Sequence, residues 1–223
     1  MMQIDLFSDP VCPWCFIGKK RLDVALAQRP DISPRVTWRT FRLNPTMPDE
    51  GMDRAAYIAA KFGGPDRADR IYASIATVGR DAGIAFRFDR IKRTPSTTKA
   101  HRLLRYVQEA GLDASVLMDR LFTAYFLDGL DIGETEVLVE LAAEFQLPPE
   151  KLRSFLDSSA LRTEVEAEDM QARRLGIEGV PCFILAGRYA IAGAQEPETF
   201  MPLFDLLIED ARANAPGSTI SRL

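Results

Sequence analysis

Four residues near the N-terminus, Cys12-Pro13-Trp14-Cys15, restrict what this chain can become more than any other feature, because of what flanks them. Ahead of them, Ile4 and Leu6 alternate with Gln3 and Asp5, Phe7 closes the run, and Ser8-Asp9-Pro10 makes a turn: a short strand. Behind them, from Pro13 to about Ala27, Phe16, Ile17, Leu22, Val24, Ala25 and Leu26 recur at near-helical spacing. The cysteine pair therefore opens a helix directly after a strand. Unpaired amides and the positive end of the dipole at a helix N-terminus favour an anion, so the first sulfur is stabilised as thiolate and Cys12 is the candidate nucleophile. Pro13 suits the first helical turn, where a missing N–H costs nothing. Cys15 lies one turn further on the same face, placed to resolve a mixed disulfide. The C-x-x-C spacing also serves as half of a zinc site, but a four-ligand centre here would need both Cys182 and His101, so no metal is expected.

The rest of the chain completes a pattern. Val36, Trp38, Thr40 and Phe41 mark a second strand over Arg35 to Leu43, bounded by Pro34 and Asn44-Pro45. From about Asp49 to Leu161 the pattern is a succession of helices, broken at Gly63-Gly64-Pro65, Thr94-Pro95-Ser96, Gly111 and Pro148-Pro149. Within it Ala85 to Asp89 alternates like a strand and is read as an irregular connection. A long helix from about Ser158 to Leu175 leads to Gly179-Val180-Pro181, and the runs Cys182-Leu185 and Tyr189-Ala192 then make a hairpin. An amphipathic helix spans about Glu196 to Ala213, and the tail from Pro216 is expected to be loose. The fold class is α/β with a large all-helical insertion. No flexible Gly/Ser linker bounds that insertion, which predicts a layer packed over the redox site rather than a tethered unit.

Composition removes several classes. With 223 residues, 47% of them hydrophobic, the chain can bury a core of one large domain or one with a sizeable insertion. Its 28 basic and 32 acidic residues sum to −4 with no long run of like charge, so no nucleic-acid partner is expected. No stretch approaches the roughly 18 unbroken apolar residues a membrane helix needs, and Asp5 stands where a signal peptide would be basic and apolar. A cytoplasmic location without membrane association is the expectation, with a homodimer left open. Three cysteines in such a compartment are not a disulfide scaffold.

Four further residues draw notice. Pro181, in a tight turn before an apolar strand, is a candidate cis proline, and such a loop can present the Val180 backbone to an extended peptide beside the reactive sulfur. Trp14 is either a substrate-facing platform or a cover over the sulfurs. His101, the only histidine, is a helix residue bonded to a neighbour or a group that tunes Cys12. Cys182 reads as a small apolar residue heading a buried strand, with a third redox thiol as the sharper alternative.

The stretches Asp9-Pro10-Val11-Cys12-Pro13-Trp14-Cys15-Phe16-Ile17-Gly18, Ala100-His101-Arg102-Leu103, Gly176-Ile177-Glu178-Gly179-Val180-Pro181 and Ile191-Ala192-Gly193-Ala194-Gln195 together resemble the thioredoxin-fold dithiol oxidoreductases of the DsbA type. The resemblance is nearest to the FrnE-like subgroup, which is grouped with 2-hydroxychromene-2-carboxylate isomerases and kappa-class glutathione transferases. It implies a thioredoxin-like domain from residues 1–48 and 162–223 with a helical domain, 49–161, inserted between its halves. It also implies a cis peptide at Pro181 and redox chemistry at Cys12 and Cys15, beside which Pro13, Trp14, Val180 and Pro181 are the candidate substrate contacts. The isomerase and transferase relatives place a serine where this chain has Cys12, so the full pair favours disulfide exchange. Many relatives carry an asparagine where this chain has Ser96, and Cys182 is an addition.

The expected activity is thiol-disulfide exchange, as a protein-disulfide oxidoreductase or isomerase, with disulfide- or thiol-containing proteins or small thiols as partners. No cofactor is required, and glutathione can serve as thiol co-substrate. The alternatives are a glutathione-dependent isomerase or transferase acting on a small aromatic compound, and a non-enzymatic binding or zinc-carrying protein.

Overall fold

A computed structural model of the chain describes residues 2–213; the tail from Pro216 lies outside them. Its main sheet has four strands: β1 (Gln3–Ser8), β2 (Arg35–Thr40), β5 (Cys182–Leu185) and β6 (Tyr189–Ala192), in the order β2-β1-β5-β6. β1 and β2 run parallel, joined by helix α1 (Pro13–Ala27), whereas β5 and β6 are antiparallel additions on the other side of β1. Between β2 and β5 the chain forms β3 (Met52–Asp53), α2 (Arg54–Phe62), α3 (Pro65–Asp81), β4 (Arg93–Thr94), α4 (Thr98–Glu109), α5 (Ala114–Thr123), α6 (Thr135–Leu141), α7 (Pro149–Asp157) and α8 (Arg162–Arg174). Helix α9 (Met201–Ala213) closes the described chain after a 3-10 turn at Pro197–Phe200. This is a thioredoxin fold with a large, mainly helical insertion, in which β3 and β4 add a two-residue ladder to what the periodicity gave as helices alone.

Alternation along the strands separates two cores. Ile4, Leu6, Phe183 and Leu185 face α1, α9 and the insertion, whereas Phe7 and Cys182 face Phe41, Ala172 and Ile177 on the other side. The first core is continuous from the sheet through α1 into α3, α4 and α5. At its centre Phe16 of α1 stacks on Phe122 with ring centroids 4.9 Å apart and meets Phe86 edge-on at 6.0 Å. Lys19 of α1, itself buried, adds an ion pair to Asp119 of α5. The insertion is thus packed onto the helix that begins at Cys12.

Where element boundaries differ from the periodicity, side chains have captured backbone groups. The second strand stops at Thr40 rather than Leu43 because the N–H groups of Arg42 and Leu43 donate to the carboxylates of Asp169 and Asp9, at 2.9 and 2.7 Å. The helix expected from Ser158 begins at Arg162, after Leu161 with φ 61°. Just before it the buried Arg102 guanidinium donates to the carbonyls of Phe155, Leu156 and Ala160 and holds the end of α7 open. The alternating Ala85–Asp89 segment has no strand partner. Its Phe86 and Phe88 stack on each other at 4.9 Å and pack against Phe126, while the Arg87 N–H donates to the Phe126 carbonyl.

The contact of α1 with the Pro181 loop depends on Gly18. An added Cβ there would stand 2.7 Å from Pro181 Cγ and 3.2 Å from Phe183 Cζ. Gly18→Ala is therefore expected to destabilise the protein by about 1–3 kcal/mol through overpacking, measured as a lower urea midpoint; an unchanged midpoint would show that the loop yields freely.

Candidate active site

Cys12 occupies the cap position of α1 in an extended conformation, φ −93° and ψ 113°, with Pro13 as the first helical residue. No acidic residue stands in the first turn, so the positive end of the helix is left to the sulfur. The turn that delivers Cys12 is held by Asp9, which is wholly buried. Its carbonyl accepts the Cys12 N–H at 2.9 Å, while its carboxylate accepts the N–H groups of Val11 at 3.4 Å and Leu43 at 2.7 Å. One side chain thereby ties the loop after β1 to the loop after β2.

The two thiols sit in different surroundings. Cys12 is only 3% exposed, but it lines a cleft of about 300 Å³, and Cys15 lies behind it, buried and away from that cleft. Burial holds the Cys15 thiol well above the ordinary thiol value, and the neighbouring Cys12 adds to this; the Ser8 hydroxyl and the Asp9 backbone act in the opposite direction. The Cys12 Sγ lies 3.6 Å from the carbonyl oxygen of Val180, to which the thiol donates. The Val180–Pro181 peptide bond is cis. Trp14, 38% exposed, also borders the cleft, as do Pro13 and Val180; the insertion contributes Tyr57, Phe62, Tyr72 and Phe126.

The remaining candidates are placed apart. Cys182 follows Pro181 in sequence, but its side chain belongs with Phe7, Phe41, Ala172 and Ile177 on the opposite face of the sheet from Cys12 and Cys15. Burial among these side chains raises its thiol pKa. His101 on α4 is buried and points at Asp9, its Nε2 3.8 Å from Oδ1, with no hydrogen-bond partner among the described residues. Among the described residues, no three His, Cys, Asp or Glu side chains are placed to hold a metal ion, and no helix is long and apolar enough to cross a membrane.

Two residues of the site escape a reading of the sequence. Asp9 had a usable signal, an Asp-Pro turn directly before the cysteines. Arg54, whose guanidinium reaches the cleft from the first turn of α2, had none, because only folding brings α2 to Cys12.

Burial raises the pKa of Cys15, Cys182, Tyr72 and Tyr125. The folded state then binds these protons more tightly than the unfolded chain, so the associated stability is intact below the unfolded thiol value of about 8.5 and declines as pH rises toward the folded values. The reduced protein is expected to show a falling urea midpoint from roughly pH 8.5 upward. A midpoint flat to pH ~10 would contradict the burial of these groups.

A parallel β1–α1–β2 unit, an antiparallel hairpin behind a cis proline, and a cysteine pair at the start of α1 define a thioredoxin-type dithiol protein. The chain belongs to the DsbA-like thioredoxin domain family, whose profile matches residues 3–204. It is similar in structure to a probable DsbA oxidoreductase from Streptomyces coelicolor, with a TM-score of 0.83 and 31% identity over 94% of this chain and 91% of that one. The cytosolic disulfide reductase DsbM from Pseudomonas aeruginosa, solved with GSH, shares the fold at TM-score 0.66 and 19% identity, covering 93% of this chain and 99% of its own. A 2-hydroxychromene-2-carboxylate isomerase shares it at TM-score 0.66 and 16% identity, covering 96% and 98%.

Proposed function

We propose that this protein is a thiol-disulfide oxidoreductase working through Cys12 and Cys15. The observation that supports this most is the asymmetry of the pair: Cys12 caps the helix and borders a cleft, and Cys15 is held protonated one turn behind it. The Cys12 thiolate attacks one sulfur of a disulfide, a mixed disulfide forms, and the other substrate sulfur leaves as a thiolate that takes up a proton. Cys15 then loses its proton and attacks Cys12, releasing the second thiol; two electrons have moved to the substrate and a Cys12–Cys15 disulfide remains. Glutathione or another small thiol returns the pair to the dithiol, and no further cofactor enters.

On this reading, residues 49–161 form the substrate-facing unit over a thioredoxin-like domain of 1–48 and 162–223. Pro13, Trp14 and Val180 at the cleft, together with Pro181 next in the chain, form the contact edge for disulfide- or thiol-containing partners, and His101 tunes the pair through Asp9. A cytoplasmic location accords with such a thiol-reduced cycle and with the cytosolic reductase that shares the fold. The experiment is insulin reduction driven by glutathione or dithiothreitol, together with reactivation of a scrambled disulfide substrate. Activity in neither would remove the proposal.

A second reading, a glutathione-dependent isomerase acting on a small aromatic compound, draws on the aromatic wall of the cleft. Cys15→Ser separates the two, since isomerisation has no use for a resolving thiol.

A further inference from the structure

The insertion places an arginine without an anion in the cleft that contains the reactive sulfur. Arg54, partly buried at the start of α2, donates through Nη1 to Thr94 Oγ1 at 3.0 Å and to the Tyr125 hydroxyl at 3.5 Å, and through Nη2 to the Tyr72 hydroxyl at 2.7 Å. Its guanidinium carbon lies 5.5 Å from the Tyr57 ring centroid and 5.1 Å from that of Tyr72. Every one of these partners is neutral. Arg39 pairs with Asp5 and Glu168, and Arg42 with Asp169, whereas Arg102, away from the cleft, has its donors taken up by three backbone carbonyls. Arg54 forms no ion pair among the described residues, and neither does Lys61, the second cation of the cleft, whose Nζ donates to Asn44 Oδ1 at 3.3 Å.

A guanidinium fixed by three hydroxyls and two aromatic faces is an oriented positive charge that a bound anion can complete at little entropic cost. The remaining wall, with Phe62, Tyr72, Ile75 and Phe126, is apolar and aromatic. A cleft of about 300 Å³ has the size of a small molecule, not of an extended polypeptide.

We infer that the cleft is a binding site for a small aromatic thiol, or its disulfide, that bears a carboxylate, with Arg54 as the residue that selects the acid. The inference rests on the dithiol chemistry proposed above and names its substrate class. In the reducing direction, Cys12 displaces one aromatic thiolate from the disulfide, and Cys15 displaces the other. The two electrons of the dithiol are then on two aromatic thiols, and Cys12–Cys15 is oxidised.

The test uses the reduced full-length protein with two aromatic disulfides of opposite design, 5,5′-dithiobis(2-nitrobenzoate), which carries carboxylates, and neutral 4,4′-dithiodipyridine. Stopped-flow release of the aromatic thiol gives a rate constant for each, and their ratio removes effects on Cys12 common to both. Arg54→Gln should lower the carboxylate-to-neutral ratio about tenfold, the worth of one charge-assisted hydrogen bond. Arg54→Lys, which keeps the charge, should recover much of it. Binding is read separately by saturable quenching of tryptophan fluorescence with unreactive 4-nitrobenzoate, since Trp14 borders the cleft, and this too should weaken in Arg54→Gln. An unchanged ratio in Arg54→Gln, equal losses in the Gln and Lys variants, or no saturable nitrobenzoate binding would overturn the inference. If instead neither disulfide reacts at Cys12 while Arg54-dependent nitrobenzoate binding persists, the carboxylate site stands and the dithiol reading fails.

Discussion

Cys12→Ser is expected to lower disulfide turnover to the uncatalysed background, whereas Cys15→Ser should accumulate a mixed disulfide through Cys12. The reason is geometric. Cys12 borders the cleft at the positive end of α1, with the Val180 carbonyl 3.6 Å from its sulfur, while Cys15 lies behind it with its thiol held protonated by burial. A substrate sulfur meets Cys12 first, and Cys15 acts once a mixed disulfide has formed next to it. Mass spectrometry after alkylation near neutral pH should place the label on Cys12 in the reduced protein, and trapping with a disulfide substrate should give an adduct on Cys15→Ser but not on Cys12→Ser. Cys182→Ala should retain most turnover, because its side chain lies across the sheet from the pair. Preferential labelling of Cys15, or turnover without Cys12, would refute the mechanism.

The second large effect concerns stability. Phe16→Ala should destabilise the protein by about 3–5 kcal/mol, the usual cost of truncating a buried aromatic. Phe16 follows Cys15 directly, and its ring stacks on Phe122 at 4.9 Å and meets Phe86 at 6.0 Å, so the truncation removes the junction between α1 and the insertion. Thermal and urea denaturation should both register the loss. Because the insertion forms much of the cleft wall, the variant should also show weaker substrate saturation than its remaining folded fraction accounts for. A loss below about 1 kcal/mol would mean that the insertion is anchored elsewhere.

Local order was legible because it depends on local chemistry. Period-two alternation marked β1, two apolar runs around Gly187-Arg188 marked the β5–β6 hairpin, helical spacing marked α1 with its start at Pro13, and the Gly179-Val180-Pro181 turn marked a cis proline; all four lie where sequence pattern and turn chemistry put them. The cysteine pair at the start of a helix after a strand was legible on the same grounds. Boundaries failed where a distant group took the backbone. Asp9 and Asp169 ended β2 early, and Arg102, 58 residues before Ala160, took the carbonyls ahead of α8. Phe86 and Phe88 alternate as a strand would, yet they pack on an aromatic cluster that no local pattern announces.

The sequence by itself determined the strands and helices of the thioredoxin-like part, the placement of the cysteine pair at the start of a helix after a strand, and the cis proline ahead of the hairpin, since each follows from residues a few positions apart. Only the tertiary structure decided that Cys182 points away from the pair, that the His101 Nε2 stands 3.8 Å from an Asp9 carboxylate oxygen, and that Arg54 stands in the cleft beside Cys12. The face a strand residue presents depends on the register against its neighbours. The partners of His101 and Arg54 depend on where the insertion lands, and that is settled by the packing of Phe16 against Phe86 and Phe122, residues some 70 to 106 positions away in the chain.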